Sequence, residues 1–150
     1  MTTYSFADIN ASISGPGGAF SLGAGAGVAE EGITIDMIED KDTMVIGADG
    51  SVLHNLHAGN GGTVTIRFLK TSPTNAKLQT MYNIQSASSA NWGGNSITLN
   101  NPATGDIILA TDAAFRRQPS VSYAKDGPVL EWAFNCGRVT NHLGDNVIAA

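Results

Sequence analysis

The stretch that decides the fold of this 150-residue chain is residues 57–78, which read HAGNGGTVTIRFLKTSPTNAKL. After a glycine-rich turn, polar and apolar residues alternate over Thr63–Leu69, which is typical of a half-buried β-strand. Ser72 is a natural N-cap, and Pro73 fits the first position of a helix, where its missing N–H costs nothing. The stretch therefore predicts a strand that runs directly into a helix.

The predicted helix extends from about Pro73 to Ala87 and is the one clear helical pattern in the sequence. Its stripe at helical spacing consists of Leu78, Met81, Tyr82 and Gln85. We expect the first three of these side chains to hold the helix against a sheet.

Strands are predicted on both sides of this helix, in short segments bounded by turn residues. Asp49-Gly50 is the strongest hairpin signal, and it should join strands at Met44–Ile46 and Val52–Leu56. The other predicted strands lie at residues 8–13, 19–22, 33–38, 96–99, 106–115 and 129–139. The chain is thus predicted to be one domain, residues 1–150, of mainly β class: an antiparallel β-sandwich or barrel with one flanking α-helix.

Alternation within the strands predicts which side chains form the core. The predicted core residues are Val64, Ile66, Phe68, Leu130, Trp132 and Phe134, with Cys136 on the same face as the last three. In the segment 106–115, one face is predicted to carry Ile107, Leu109, Thr111, Ala113 and Phe115.

Composition excludes several classes of protein. Charged residues are 14% and hydrophobic residues 42%, which excludes wholesale disorder and a coiled coil. The net charge of −5 excludes a protein that binds nucleic acid through a basic surface. The single cysteine, Cys136, excludes an internal disulfide and a cysteine-based zinc site. No apolar run is long enough for a membrane span and the N-terminus lacks signal-peptide features, so we expect a protein made in the cytoplasm.

No residue pattern predicts an enzyme, a metal site or a cofactor site. Cys136 lies on an apolar strand face, and a G-x-S-x-G nucleophile elbow is absent from the sequence. His54 and His57 are three residues apart, which on a strand places them on opposite faces. Gly23, Gly25 and Gly27 lack the spacing and the following helix that phosphate binding needs.

Seven of the 18 glycines lie within Gly15–Gly32, and this stretch predicts an extended glycine-rich loop. Such a loop has little to bury in its own fold, so a partner subunit is the plainest candidate to hold it. We expect this loop and the adjacent segment Ile33–Thr43 to lie between subunits.

An acidic cluster lies beside the glycines and, less Lys41, carries a charge equal to that of the whole chain. Its members are Glu30, Glu31, Asp36, Glu39, Asp40 and Asp42. Two interpretations stay open. The cluster is a solvated strand edge whose like charges discourage edge pairing, or it is a negative surface at a ring contact or bore past which DNA moves without sticking.

Residues 57–78 and the features around them resemble a bacteriophage tail tube protein. A glycine turn leads into TVTIR and the KTSPTN helix start; a strand pair with an ADGS hairpin precedes them, and an ITLNNP strand and a closing WAF strand follow. The similarity extends from about residue 4 to residue 148.

This resemblance implies a small β-barrel or sandwich, related in fold to type VI secretion and tailocin tube proteins, that stacks as hexameric rings into a hollow tube. It implies that the inner sheet faces the bore and that phage DNA passes through without specific binding. Expected partners are other copies, a contractile tail sheath, the baseplate and the tail terminator. The expected location is the virion tail, with assembly in the host cytoplasm and with no metal or cofactor.

The alternative from another class is a small β-sandwich that binds carbohydrate. In that interpretation Trp92, flanked by Asn91 and Gly93, is an exposed stacking platform.

Overall fold

The computed structural model describes residues 4–23 and 28–144, with the side chains of residues 28–31 left out. In this part of the chain it contains a 3-10 turn, nine strands and one α-helix. The elements are the 3-10 turn (Phe6–Asp8), β1 (Asn10–Gly15), β2 (Gly18–Ser21), β3 (Val28–Met37), β4 (Asp42–Ile46), β5 (Val52–Leu56), β6 (Gly62–Leu69), α1 (Thr74–Ser86), β7 (Asn95–Asn101), β8 (Asp106–Arg117) and β9 (Val129–His142). The predicted mainly β class with one helix is confirmed.

Seven strands form one antiparallel sheet in the order β2-β1-β7-β8-β9-β6-β3, while β4 and β5 form a separate two-stranded hairpin. The sheet curves back on itself, because Ala11 and Ile97 from one half line the same apolar interior as Ile33 and Val64 from the other. Strands β2 and β3 are its two edges. The fold is therefore sandwich-like rather than a closed barrel.

The core lies on the concave face of this sheet. All six predicted core residues are buried, and Ile66, Phe68 and Phe134 have no exposed surface. Phe115 joins the strands to the helix, since its ring lies 4.7 Å from that of Phe134 and 5.5 Å from that of Tyr82. The strand β6 pairs with β9 along its whole length, Gly62 opposite Cys136 and Leu69 opposite Val129, which places their apolar side chains in one layer.

The helix closes the concave side, as the sequence predicts. Leu78 and Met81 are fully buried, and Tyr82 packs partly buried against the core. The helix begins at Thr74 with Pro73 at the N-cap, so the predicted placement of Ser72 at the N-cap and Pro73 at the first helical position is wrong by one residue. The Ser72 hydroxyl still accepts the Thr74 backbone N–H at 3.2 Å. Ser72 therefore satisfies one of the N–H groups that a helix start leaves without an intrahelical partner.

A buried pair of amides fastens the C-terminal end of α1 to the sheet. Gln85 and Asn95 exchange two hydrogen bonds of 2.7 and 2.8 Å, and the Gln85 amide also donates to the Pro16 carbonyl at 2.8 Å. Both side chains have no exposed surface. A Cβ on Gly15 would lie 1.9 Å from the Asn95 amide oxygen, so only glycine fits beside this pair.

The face predicted for residues 106–115 is wrong in its first half. Ile107 and Leu109 are exposed, and Ala110 is buried in their place. The cause is Asp112, which has a left-handed backbone (φ 52°) and inverts the alternation of β8 before Ala113 and Phe115 return to the core. A Cβ on Gly137 of β9 would lie 3.0 Å from that of Asp112, so a glycine suits this position.

The glycine-rich loop is shorter than the predicted span of 15–32. A turn with Gly17 in a left-handed conformation (φ 103°) lets β2 pair directly with β1, Ser12 opposite Ser21 and Gly15 opposite Gly18. Strand β3 already begins at Val28. The alternating glycines of Gly23–Gly27 fall largely outside the described residues, and the inter-subunit role of the loop stays a prediction.

Candidate assembly surface

The hairpin of β4 and β5 stands apart from the sheet and is the centre of the candidate surface. Its register runs from Asp42 opposite Leu56 to Ile46 opposite Val52, as the Asp49-Gly50 signal predicts. At the tip the Asp49 carboxylate accepts the Ser51 backbone N–H at 3.0 Å, and Gly50 takes the left-handed conformation (φ 87°). Hydrogen bonds from the Ser51 side chain and backbone hold the pKa of Asp49 below its usual value.

The hairpin exposes apolar side chains on both of its faces. Every residue of β4 is exposed, and the large apolar side chains of the two strands are between half and five-sixths exposed: Met44, Val45, Ile46, Val52, Leu53 and Leu56. A two-stranded hairpin with no core to cover is marginal in water. A contiguous exposed apolar patch of this kind marks an interaction site.

Polar contacts hold the base of the hairpin together and tie it to the connection that leads into β6. The Asp42 carboxylate hydrogen-bonds to the His54 ring at 2.9 Å across the two strands. Lys41 donates to the side chain of Asn60 at 2.8 Å, and Thr43 hydrogen-bonds to the His57 ring. The base of the hairpin is therefore held by polar contacts, whereas the apolar side chains along the rest of the hairpin are exposed.

The structure brings four of the six predicted acidic residues to this base. Asp36 lies near the end of β3, Glu39 and Asp40 lie in the connection to β4, and Asp42 opens β4; all four are exposed. These residues, Asp36, Glu39, Asp40 and Asp42, are called the acidic collar below. Glu30 and Glu31 lie on β3, but their side chains are outside the description.

The convex face of the sheet carries small polar side chains. Thr34 lies opposite Thr65, and Asp36 lies opposite Thr63, which in turn lies opposite Asn135. Toward the other end of β6, Arg67 reaches from the Thr34 hydroxyl (3.1 Å) to the Glu131 carboxylate (3.2 Å). The result is a polar wall, acidic at the collar and balanced in charge at Arg67.

The groups that reaction chemistry would use are dispersed or inert. Burial raises the pKa of the Cys136 thiol to about 11, against an opposing hydrogen bond from the Val64 backbone, so the thiol stays protonated at neutral pH. His54 and His57 contact different partners, Asp42 and Thr43. Across residues 4–23 and 28–144, no three His, Cys, Asp or Glu side chains form a group able to hold a metal ion. No helix in the described ranges has the length and apolar character to cross a membrane.

Trp92, the predicted stacking platform of the carbohydrate alternative, is 41% exposed. Its ring stands edge-on to that of Tyr82 at 6.0 Å, so it forms part of the aromatic chain that leads through Tyr82 to Phe115. This contact gives Trp92 a role in packing.

Sequence reasoning missed the apolar side chains of the hairpin as site residues, although it placed both strands. The available signal was the pairing register. Val45 opposite Leu53 and Ile46 opposite Val52 put apolar side chains on both faces of a hairpin that has only two strands.

Comparison with known proteins gives a family and a fold. The sequence profile of the family described as "Bacteriophage PhiTE tail tube protein" matches residues 1–144. Among curated proteins, none matches this sequence.

Three solved structures share the fold at low sequence identity. A chain in the tail of an empty GTA particle, computed with C6 symmetry, aligns with a TM-score of 0.62 at 12% identity, covering 94% of this chain and 98% of its own. A chain in the PVC sheath/tube terminator of an extracellular contractile injection system aligns at 0.56 and 16%, covering 89% and 92%. A chain of the six-fold symmetrised anti-feeding prophage baseplate aligns at 0.55 and 13%, covering 98% and 99%.

Proposed function

Because that profile spans nearly the whole chain, the protein belongs to the bacteriophage PhiTE tail tube protein family and is a structural tail protein, and we propose that its copies stack as hexameric rings into the hollow tube. The observation that carries the self-assembly is the hairpin of β4 and β5, which exposes apolar side chains on both faces. Burial of such a surface against another copy is favourable in proportion to the apolar area removed from water.

We infer that the collar half of the polar convex face, around Asp36, Thr63 and Asn135, lines the bore. Its residues are small and polar, and Asp36 adds a negative charge that a ring repeats in every subunit. A negative wall repels the phosphate backbone, so DNA moves through the tube toward the host without binding to it. The net charge of −5 supports the same conclusion.

The proposed mechanism is geometric and electrostatic, with no enzymatic step, no metal and no cofactor. The proposed partners beyond other copies are a contractile sheath, the baseplate and the tail terminator. The solved structures with this fold come from a sheath/tube terminator, a baseplate and a helical tail, which supports this set. The proposed location is the virion tail, after assembly in the host cytoplasm.

Electron microscopy of the concentrated purified protein tests self-assembly. We expect rings or tubes with a central hole. The double variant Val45→Ser, Leu53→Ser changes one directly opposed pair on the hairpin and should abolish tubes without lowering the melting temperature of the dilute monomer. Ile84→Ser, which replaces an exposed apolar residue on α1, is the matched control and should still assemble.

Two results contradict this proposal. A wild-type protein that stays monomeric at high concentration and binds glycans supports the carbohydrate-binding alternative. Tubes that persist in the double hairpin variant place the contact elsewhere on the molecule.

The rate of DNA release from phage particles tests the bore. Asp36→Asn removes one negative charge from the sheet face of each subunit and should slow release while tails still assemble. Asp126→Asn, an exposed change outside that face, should release DNA at the wild-type rate. Equal rates for both variants show that Asp36 does not face the bore.

A further inference from the structure

The two ends of the sheet carry different sets of charged residues. One end, where β3 finishes and the hairpin begins, holds the acidic collar, with Lys41 and Arg138 nearby. The other end, where β6 and β8 finish and β9 begins, holds five of the eight basic residues together with four acidic ones. The basic residues are Arg67, Lys70, Arg116, Arg117 and Lys125, and the acidic ones are Glu30, Glu31, Asp126 and Glu131. Strand β6 spans the two ends from Gly62 to Leu69, a separation of about 23 Å at roughly 3.3 Å per residue.

The basic end contains a groove. Its walls are the start of β9, including Glu131, and the segment from Arg116 to Ser120, and its volume is about 300 Å³. Glu131 already pairs with Arg67. Arg116 and Arg117 are exposed and form no ion pair within the described residues, so their charges are available to a partner.

The same end also exposes apolar side chains. Tyr123 is 86% exposed and Val121 half exposed on the segment that follows the groove, and Leu69 and Val129 are partly exposed where β6 meets β9. Lys70 lies 5.9 Å from the centre of the Tyr123 ring. The groove lined by Arg116 and Arg117 is therefore positive with apolar side chains beside it, whereas the hairpin end is apolar and negative.

Resting on the tube assembly proposed above, we infer that the groove end of one copy receives the hairpin end of the next copy along the tube. Glu39 and Asp40 face Arg116 and Arg117, and the apolar length of the hairpin covers Val121 and Tyr123. Opposite charges across such a contact speed encounter and fix orientation, and wrong like-charge pairings are penalised. Because the two surfaces are different, each added copy leaves one free end of each kind, which lets the assembly extend.

Charge exchange between the two ends tests this inference on the full-length protein. The variant Arg116→Glu, Arg117→Glu makes both ends acidic, and Glu39→Lys, Asp40→Lys makes both ends basic. Each alone should raise the protein concentration needed for tube growth, measured by sedimentation, by about tenfold or more. A mixture of the two, or all four changes in one chain, should restore growth. Lys77→Glu on the outer side of α1 is the matched charge control and should grow normally.

Circular dichroism should show that each variant is folded, because all four side chains are exposed. Loss of growth in both single-end variants and recovery in the mixture supports the pairing. Normal growth of either single-end variant, or failure of the mixture to recover, overturns it, and the groove then belongs to a different partner. A wild-type protein that never forms rings or tubes refutes the proposed function itself, so the two failures are distinct.

Discussion

The curved sheet and the hairpin are built from the same kind of strand, yet only one of them has a core. In the sheet, the side chains of Phe68 and Phe134 are fully buried beneath the helix. In the hairpin, Val45 and Leu53 face each other across two strands with nothing over them, and both are more than half exposed. The local hydrophobic pattern thus specifies a strand in both regions. The number of neighbouring elements decides whether the apolar residues of that strand are buried and stabilise the monomer or stay exposed.

Truncation of a buried ring in the sheet should have the largest effect. Phe134→Ala removes the side chain that packs 4.7 Å from Phe115 and leaves a cavity at the centre of the core. We expect the free energy of unfolding to fall by about 3–5 kcal/mol, measured by urea denaturation. A loss below about 1 kcal/mol contradicts a self-sufficient core.

Loss of the buried amide pair should have the next largest effect. Asn95→Ala leaves the Gln85 carbonyl oxygen buried without its partner, at a cost of about 1–3 kcal/mol. Gln79→Ala on the partly buried side of the same helix is the control and should change the unfolding free energy far less. Equal losses of unfolding free energy in the two variants contradict a larger stabilisation by the buried amide pair.

The Cys136 thiol gives a pH test of burial within the sheet. Its pKa rises from 9.0 to about 11 on folding, so the protonated form is favoured in the native state. Its contribution to stability is fully present below about pH 9 and is lost as pH rises toward 11. Urea denaturation of wild type and Cys136→Ala should give a stability difference that changes with pH in this window. A constant difference contradicts the burial of the thiol.

Truncation within the hairpin should have the smallest effect on the monomer. Leu53→Ala removes an exposed side chain, so the unfolding free energy of the dilute protein should change by no more than about 0.5 kcal/mol. The same change should weaken assembly, which light scattering of concentrated protein measures. A large loss of monomer stability here shows that the hairpin packs on its own subunit and removes the contrast between the two regions.

Much of the fold was predictable because its signals are local. The alternation in Thr63–Leu69, the Ser72-Pro73 helix start and the Asp49-Gly50 turn each act over a few residues, and β6, α1 and the hairpin of β4 and β5 follow from them. The inversion at Asp112 was not predictable, since a left-handed non-glycine residue leaves no mark on the hydrophobic pattern.

One part of the candidate surface was likewise predictable from the sequence, and the other part was not. The acidic residues of the collar are neighbours in sequence and were visible as a cluster. The basic end was invisible, because Arg67 and Arg117 are 50 positions apart and approach each other only when β6 and β8 pair on either side of β9.

The acidic collar at the base of the hairpin also bears on how free subunits remain dispersed before a tube grows. Two apolar hairpins that meet face to face bring two acidic collars of like charge together. The repulsion between the collars opposes non-specific association. The repulsion weakens at high ionic strength, because salt screens exposed charges over about 8–10 Å. In the assembly proposed above, the same few carboxylates would therefore govern both the colloidal stability of the unassembled subunit and the direction of tube growth.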